Sequence, residues 1–164
     1  MIRVGIITSS DKGSRGERED LSGAVIREIV ESRGYTVERQ VILPDEIELL
    51  SEEMIRMSDE HKIELILTTG GTGFSPRDIT PEATNRVIDR PTPGIPEAMR
   101  YHSLGITPRG MLSRGTAGIR QNRTLIVNLP GSQKAVREIL EYIIDSVEHG
   151  VEIMLERTSE CGRK

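Results

Sequence analysis

The sequence predicts an α/β fold, a mostly parallel sheet sandwiched between helices in one domain. Three observations predict it. Apolar runs of strand length alternate with amphipathic helical stretches along the chain. The run Ile63–Thr68 is nearly continuous in its apolar character, as expected of a strand covered on both faces. Glycine turns follow strands and open into helix starts, and right-handed crossovers place such turns on one edge of the sheet.

Arg3–Thr8 opens the chain as a strand and runs into the polar loop Ser9–Gly16, then the charged Glu17–Asp20. Loops of this length after a first strand reach over ligands. Asp20 or Ser22 caps the next helix, Val25, Ile26, Ile29 and Val30 form its apolar stripe, and Gly34 ends it. Tyr35–Leu43 alternates as a second strand. Asp45 reads as the N-cap of the following helix, with Glu48 three residues later as in a capping box. Ile47, Leu50, Met54 and Met57 line its buried face, the methionines as core filler.

After the Ile63–Thr68 strand, Thr80 reads as an N-cap with Pro81 at the first helical position, and the helix runs to about Ile88. Pro91, Pro93 and Pro96 punctuate the next stretch, and a helix carrying Ala98, Met99, Tyr101 and Leu104 begins at Ile95 or Pro96. Met111–Arg120 is too interrupted by glycine for a long helix. Gln121–Arg123 turns into the strand Thr124–Asn128. Ser132 then caps a helix with Val136, Ile139, Leu140, Ile143, Ile144 and Val147 on one face. The domain is expected to span residues 1–156, followed by a polar tail, 157–164.

The composition narrows the chemistry. Among 164 residues there is no Trp and one Phe, so the core must be aliphatic. Phe74 lies inside the glycine loop, where it packs either against a ligand or over the core. The formal net charge of −4 argues against broad nucleic-acid binding but leaves room for a small anion held by local arginines. One cysteine, Cys161, excludes an intramolecular disulfide and a zinc cluster. His61, His102 and His149 lack ligand spacing and read as bystanders. Without a signal sequence or a membrane-length apolar run, a cytoplasmic location is expected.

The candidate site is Thr69-Gly70-Gly71-Thr72-Gly73 with Arg77, Asp78 and Thr80 behind it. Glycines allow positive φ and close backbone approach, and the helix start adds free N–H donors and a positive dipole end. Such a turn can hold phosphate oxygens, with Arg77 either a charge clamp or merely solvated. A carboxylate at Asp78 repels phosphate unless it acts through Mg²⁺. Gly131 and Ser132 supply a second turn of the same kind.

These residues, in order, resemble a known family. Ser10-Asp11, Asp20 with Ser22-Gly23, Leu43-Pro44-Asp45-Glu46, the run Thr69–Gly73, and Arg77-Asp78-Ile79-Thr80-Pro81-Glu82-Ala83-Thr84 carry the likeness. Pro93-Gly94, Glu97, Met99-Arg100, Leu112-Ser113-Arg114, Ala117-Gly118, Arg120 and Leu129–Ser132 complete it. The pattern resembles the molybdopterin adenylyltransferases (Mog and MoaB types), related to the plant and gephyrin G domains. The resemblance implies a three-layer α/β/α sandwich with a largely parallel five-stranded sheet, assembled as a trimer. It also implies transfer of AMP from Mg-ATP to the terminal phosphate of molybdopterin, with a molybdenum insertase downstream. Asp45 and Asp78 match the aspartates tied to adenylyl transfer and to the Mg-nucleotide. Substrate contacts are expected at Ser10, Asp11, Thr69–Gly73, Arg77, Thr80, Ser113, Arg114, Gly131 and Ser132. The alternatives are a MoaB-like pterin-binding scaffold without turnover and a competence-damage-type hydrolase. The Thr80-Pro81-Glu82-Ala83-Thr84 run disfavours the hydrolase.

Overall fold

Among the described residues six strands form a single sheet: β1 (Arg3–Ser9), β2 (Thr36–Leu43), β3 (Leu65–Thr69), β4 (Arg90–Pro91), β5 (Ala117–Arg120) and β6 (Thr124–Leu129). The structure, a computed structural model, describes residues 1–158. The spatial order is β2-β1-β3-β6-β5-β4. β2, β1, β3 and β6 run parallel, while β5 lies antiparallel to β6 and β4 antiparallel to β5. The helices are α1 (Asp11–Ser14), α2 (Leu21–Ser32), α3 (Ile47–Asp59), α4 (Thr80–Val87), α5 (Gly94–Leu104) and α6 (Gln133–Met154). A 3₁₀ turn covers Pro108–Leu112.

Alternation along the central strands builds the three layers. Val4 and Ile6, Leu65 and Leu67, and Leu125 and Val127 join α2 and α6 in one core. The residues between them, Ile7, Ile66 and Ile126, join α3 and α4 in the other. Both cores are aliphatic, and Tyr35 is the single aromatic residue in either. Gly5 keeps the second core tight, since a Cβ there would stand 2.5 Å from the sulfur of Met57. Glu64, just before β3, is buried because it accepts from the Arg3 N–H at 3.0 Å and pairs with Arg157. Arg157, expected in a frayed tail, is therefore tied to the sheet, and Cys161 lies outside the described residues.

Three local expectations change. The sheet has six strands rather than five, because the segment after α4 and the glycine-broken stretch before Gln121 pair as β4 and β5. Thr80 is not an N-cap: Ile79 occupies that position, Thr80 is the first helical residue, and its buried hydroxyl donates to the Gly70 carbonyl. Asp45 is not an N-cap either. α3 is capped at Glu46 without a side-chain bond, so no capping box forms. Asp20 and Ser132 do cap their helices, accepting from the N–H groups of Gly23 and Ala135. Phe74 covers neither core and is 69% exposed.

Candidate active site

The carboxyl ends of β1, β3 and β6 open into a polar cavity of about 670 Å³. Its walls include Ser9, Ser10, Gly70, Gly71, Gly131 and Ser132, the ends of three strand-to-helix connections. Parallel strands align these connections on one edge, which is where α/β sheets bind ligands. Cross-bonds hold them together. Thr69 donates to the Pro130 carbonyl at 2.6 Å, and Ser22 donates to the Gly131 carbonyl at 2.8 Å.

The glycines of the first turn are required by packing as much as by any ligand. Gly70 and Gly71 have φ of +88° and +68°, and a Cβ on them would lie 2.4 Å from the Ser9 carbonyl oxygen and 2.3 Å from Thr80 Oγ1. The turn thus lies directly on the end of β1 and the start of α4. A buried polar chain supports it from below. Asn128 Nδ2 donates to Thr68 and Thr84 at 3.0 and 2.9 Å, Thr84 donates to the Thr80 carbonyl, and Thr80 donates to Gly70.

Asp45 and Asp78 both line this cavity. Asp45 accepts from the Ser9 hydroxyl at 2.6 Å and from the Asp11 N–H at 3.0 Å, which is where the carboxylate goes instead of capping α3. Asp78 accepts the Ser75 N–H through Oδ2 at 2.9 Å. Asp11 accepts the Asp45 N–H at 3.0 Å and takes a two-pronged ion pair from Arg77, at 3.0 and 2.8 Å. That guanidinium and the Asp45 N–H hold the Asp11 carboxyl down at about 2. Arg77 thus stays exposed to solvent while its guanidinium is paired with Asp11. Glu19 and Asp20 also face the cavity, so among the described residues Arg18 is the single basic side chain beside four carboxylates on its walls.

Ser113 and Arg114 stand elsewhere. Arg114 donates to the carbonyls of Gly73 and Asp78 at 2.7 and 2.6 Å and pairs with Glu82, holding that carboxyl below its usual range. Its charge braces the glycine turn against α4. Ser113 lines a second cavity of about 290 Å³, walled by Thr72, Gly73, Met99, Ile106, Leu112 and Ile139. The structure thus divides the expected site residues. Ser10, Thr69, Gly70, Gly71, Gly131, Ser132, Asp45 and Asp78 meet in the polar cavity, and Thr72, Gly73 and Ser113 in the apolar one. Asp11, Arg77, Thr80 and Arg114 hold the frame around them.

Sequence reading missed Ser9, Arg18 and the apolar cavity. Ser9 and Arg18 carry no local signal. Met99 and Ile139 sit at helical spacing and read as core.

Residues 5–149 match the family described as "Probable molybdopterin binding domain". The chain belongs to this family. Within it, the chain is 41% identical to a molybdopterin adenylyltransferase of Helicobacter pylori, over 99% of this chain and 93% of that protein. It is 46% identical to gephyrin of Dictyostelium discoideum over 90% of this chain, a match that spans 22% of gephyrin. The solved MoaB of Thermus thermophilus superposes with a TM-score of 0.88 at 45% identity, over 94% of this chain and 96% of that one. A CinA protein of Thermoplasma acidophilum shares the fold alone, at 18% identity and a TM-score of 0.67.

Proposed function

We propose that this molybdopterin-binding-domain protein is a molybdopterin adenylyltransferase, moving AMP from Mg-ATP onto the terminal phosphate of molybdopterin. The observation that carries the reading is the pairing of Asp45 and Asp78 in one polar cavity floored by two glycine turns. The curated relatives' name supports it. An oxygen of the pterin phosphate attacks the α-phosphorus of ATP and forms the new P–O–P linkage. The bond from that phosphorus to the bridging oxygen of the β-phosphate breaks, and pyrophosphate leaves with its electron pair. The attacking phosphate is largely a dianion at neutral pH, with a second pKa of about 6, so no general base is required. The protein's task is in-line placement and control of charge.

Backbone N–H groups of Gly70, Gly71 and Gly131 and the N-terminus of α6 would hold phosphate oxygens. The carboxylate pair fits Mg²⁺ arriving with the nucleotide. Carboxylates are hard oxygen donors, and Asp78 Oδ1 accepts no hydrogen bond among the described residues. Among the described residues no three His, Cys, Asp or Glu side chains gather into a metal site, so phosphate oxygens and water would complete the shell. When bound, the ion supplies neutralisation of the phosphate charge. The 290 Å³ apolar cavity on the other side of the glycine turn suits a flat heterocycle, and we assign it to the pterin.

The exposed side chains Tyr101, Leu104, Ile106 and Met111 fall in one segment, the kind of surface that a homotrimer contact would cover. Light scattering tests this, with a monomer mass the contrary result. No helix among the described residues is long and apolar enough to cross a membrane. We place the protein in the cytoplasm, passing its product to a molybdenum insertase. The reaction itself is tested with ATP, Mg²⁺ and molybdopterin, following pyrophosphate and adenylylated pterin. Pterin binding with no pyrophosphate would sink the enzyme reading and favour a scaffold.

A further inference from the structure

Asp45 and Asp78 stand on different connections, one between β2 and α3 and the other between β3 and α4. The polar contacts that join these connections run through Asp11, on the one-turn helix after β1. Asp11 and Asp45 exchange reciprocal bonds, each backbone N–H donating to the other's carboxylate at 3.0 Å. From the other side Arg77, the chain neighbour of Asp78, grips both oxygens of Asp11. Asp11 is itself anchored. Ser10 caps its helix by accepting the Gly13 N–H at 2.9 Å, and the Ser10 N–H donates to the Leu43 carbonyl at 2.9 Å.

We propose that Asp11 is a positioning residue that sets the separation of the Asp45 and Asp78 carboxylates and touches no substrate itself. The inference rests on the adenylyl-transfer reading, in which that pair shares a metal carried by the nucleotide. Mg²⁺ demands a near-ideal octahedron at about 2 Å, so two carboxylates from separate connections serve it only if their spacing is held. Arg77 is then a tie rather than a phosphate clamp, because its charge is taken up by Asp11.

Two variants cut the tie from opposite ends. Asp11→Asn keeps an acceptor for the Asp45 N–H but loses the ion pair, and Arg77→Met removes the guanidinium. Calorimetry with a non-hydrolysable ATP analogue, titrated with Mg²⁺, reads metal use apart from turnover. Each variant should retain its thermal midpoint within a few degrees. Each should raise the Mg²⁺ needed for half-saturation and lower kcat, both by about tenfold, the low end of losses for groups that orient metal ligands. KM for molybdopterin should not change. The double variant should be no worse than either single, because both remove one interaction.

An unchanged Mg²⁺ requirement overturns the proposal. So does Arg77→Met being far worse than Asp11→Asn, or multiplicative losses in the double variant, since Arg77 would then act on phosphate directly. A wild-type protein that binds the Mg-nucleotide analogue but releases no pyrophosphate defeats adenylyl transfer, while the titration still decides the role of Asp11. A wild-type protein with no Mg²⁺-dependent nucleotide binding overturns both.

Discussion

The two cavities beside the glycine turn are built from opposite materials. The 670 Å³ cavity is walled by strand ends, glycine backbone and four carboxylates, and the 290 Å³ cavity by Met99, Ile106, Leu112 and Ile139. They share one loop, whose residues Gly70 and Gly71 face the first and Thr72 and Gly73 the second. A five-residue turn therefore separates a region suited to phosphates and metal from one suited to a flat ring. Buried bonds fix the polar side, whereas the apolar side is closed by α5, the 3₁₀ turn and the link between them, where Ile106 and Leu112 are half exposed.

Substitutions that touch one side only would break the comparison or sharpen it. The largest effect is expected from Asp78→Asn, which keeps size and the bond from Ser75 but weakens the metal link. Turnover should fall roughly a hundredfold or more, as for loss of a preorganised charge-stabilising group, while pterin binding on the apolar side survives. Asp45→Asn should also lose turnover: its amide can donate to the Ser9 hydroxyl and its oxygen keep the Asp11 N–H, so the bonds survive but the charge offered to the metal is gone. Normal adenylylation rates in both variants would remove the catalytic assignment.

Gly71→Val comes next. Its Cβ would fall 2.3 Å from Thr80 Oγ1 at φ +68°, so the turn must shift, at a cost of about 1–3 kcal/mol. Nucleotide affinity should collapse in a chain that still unfolds cooperatively. Unchanged nucleotide binding would show that the turn is only a connection. On the other side, Ile106→Ser should weaken pterin binding severalfold and leave Mg-nucleotide binding alone. Equal effects on both ligands would mean that the two cavities are one site.

The smallest effect concerns acid stability. Asp11 is depressed in the folded state to about 2, from an ordinary 3.8, so its contribution is complete above about pH 4 and is lost as pH falls towards 2. Arg77→Met should lower the thermal midpoint slightly at pH 5–7 and make no difference near pH 2. A deficit that persists at pH 2 would place the role of Arg77 in packing instead. The pair is partly exposed, so the shift should be small.

The apolar pattern alone made the four parallel strands and their helices legible, because period and burial agree there: Ile66 and Leu67 are wholly buried, as their run requires. The glycine turns were legible from composition, because clustered glycines directly after an apolar strand can only be a tight turn. β4 and β5 were not, since a two-residue strand has no period and Gly118 interrupts the other. Asp45 and Thr80 misled because a short polar residue before a helix looks like a cap. The partners that claim them lie far off in sequence for Asp45, at Ser9 and Asp11, and ten residues back for Thr80, at Gly70. Local signals identify the residue, and only the fold says which partner wins.

The bond from Ser22 to the Gly131 carbonyl spans 109 residues, and the bond from Thr69 to the Pro130 carbonyl spans 61. The polar cavity is therefore incomplete until β6 is in place, and β6 is the last strand among the described residues. During synthesis β1, β2 and β3 can pair with one another, but the outer edge of β3 stays open until β6 arrives. Parallel pairings of such long range form slowly and expose sticky intermediates. A chain stopped before Thr124 should accordingly be a client for chaperones rather than a weak binder. Competence to hold a ligand then arrives all at once, as a late event in the birth of the molecule.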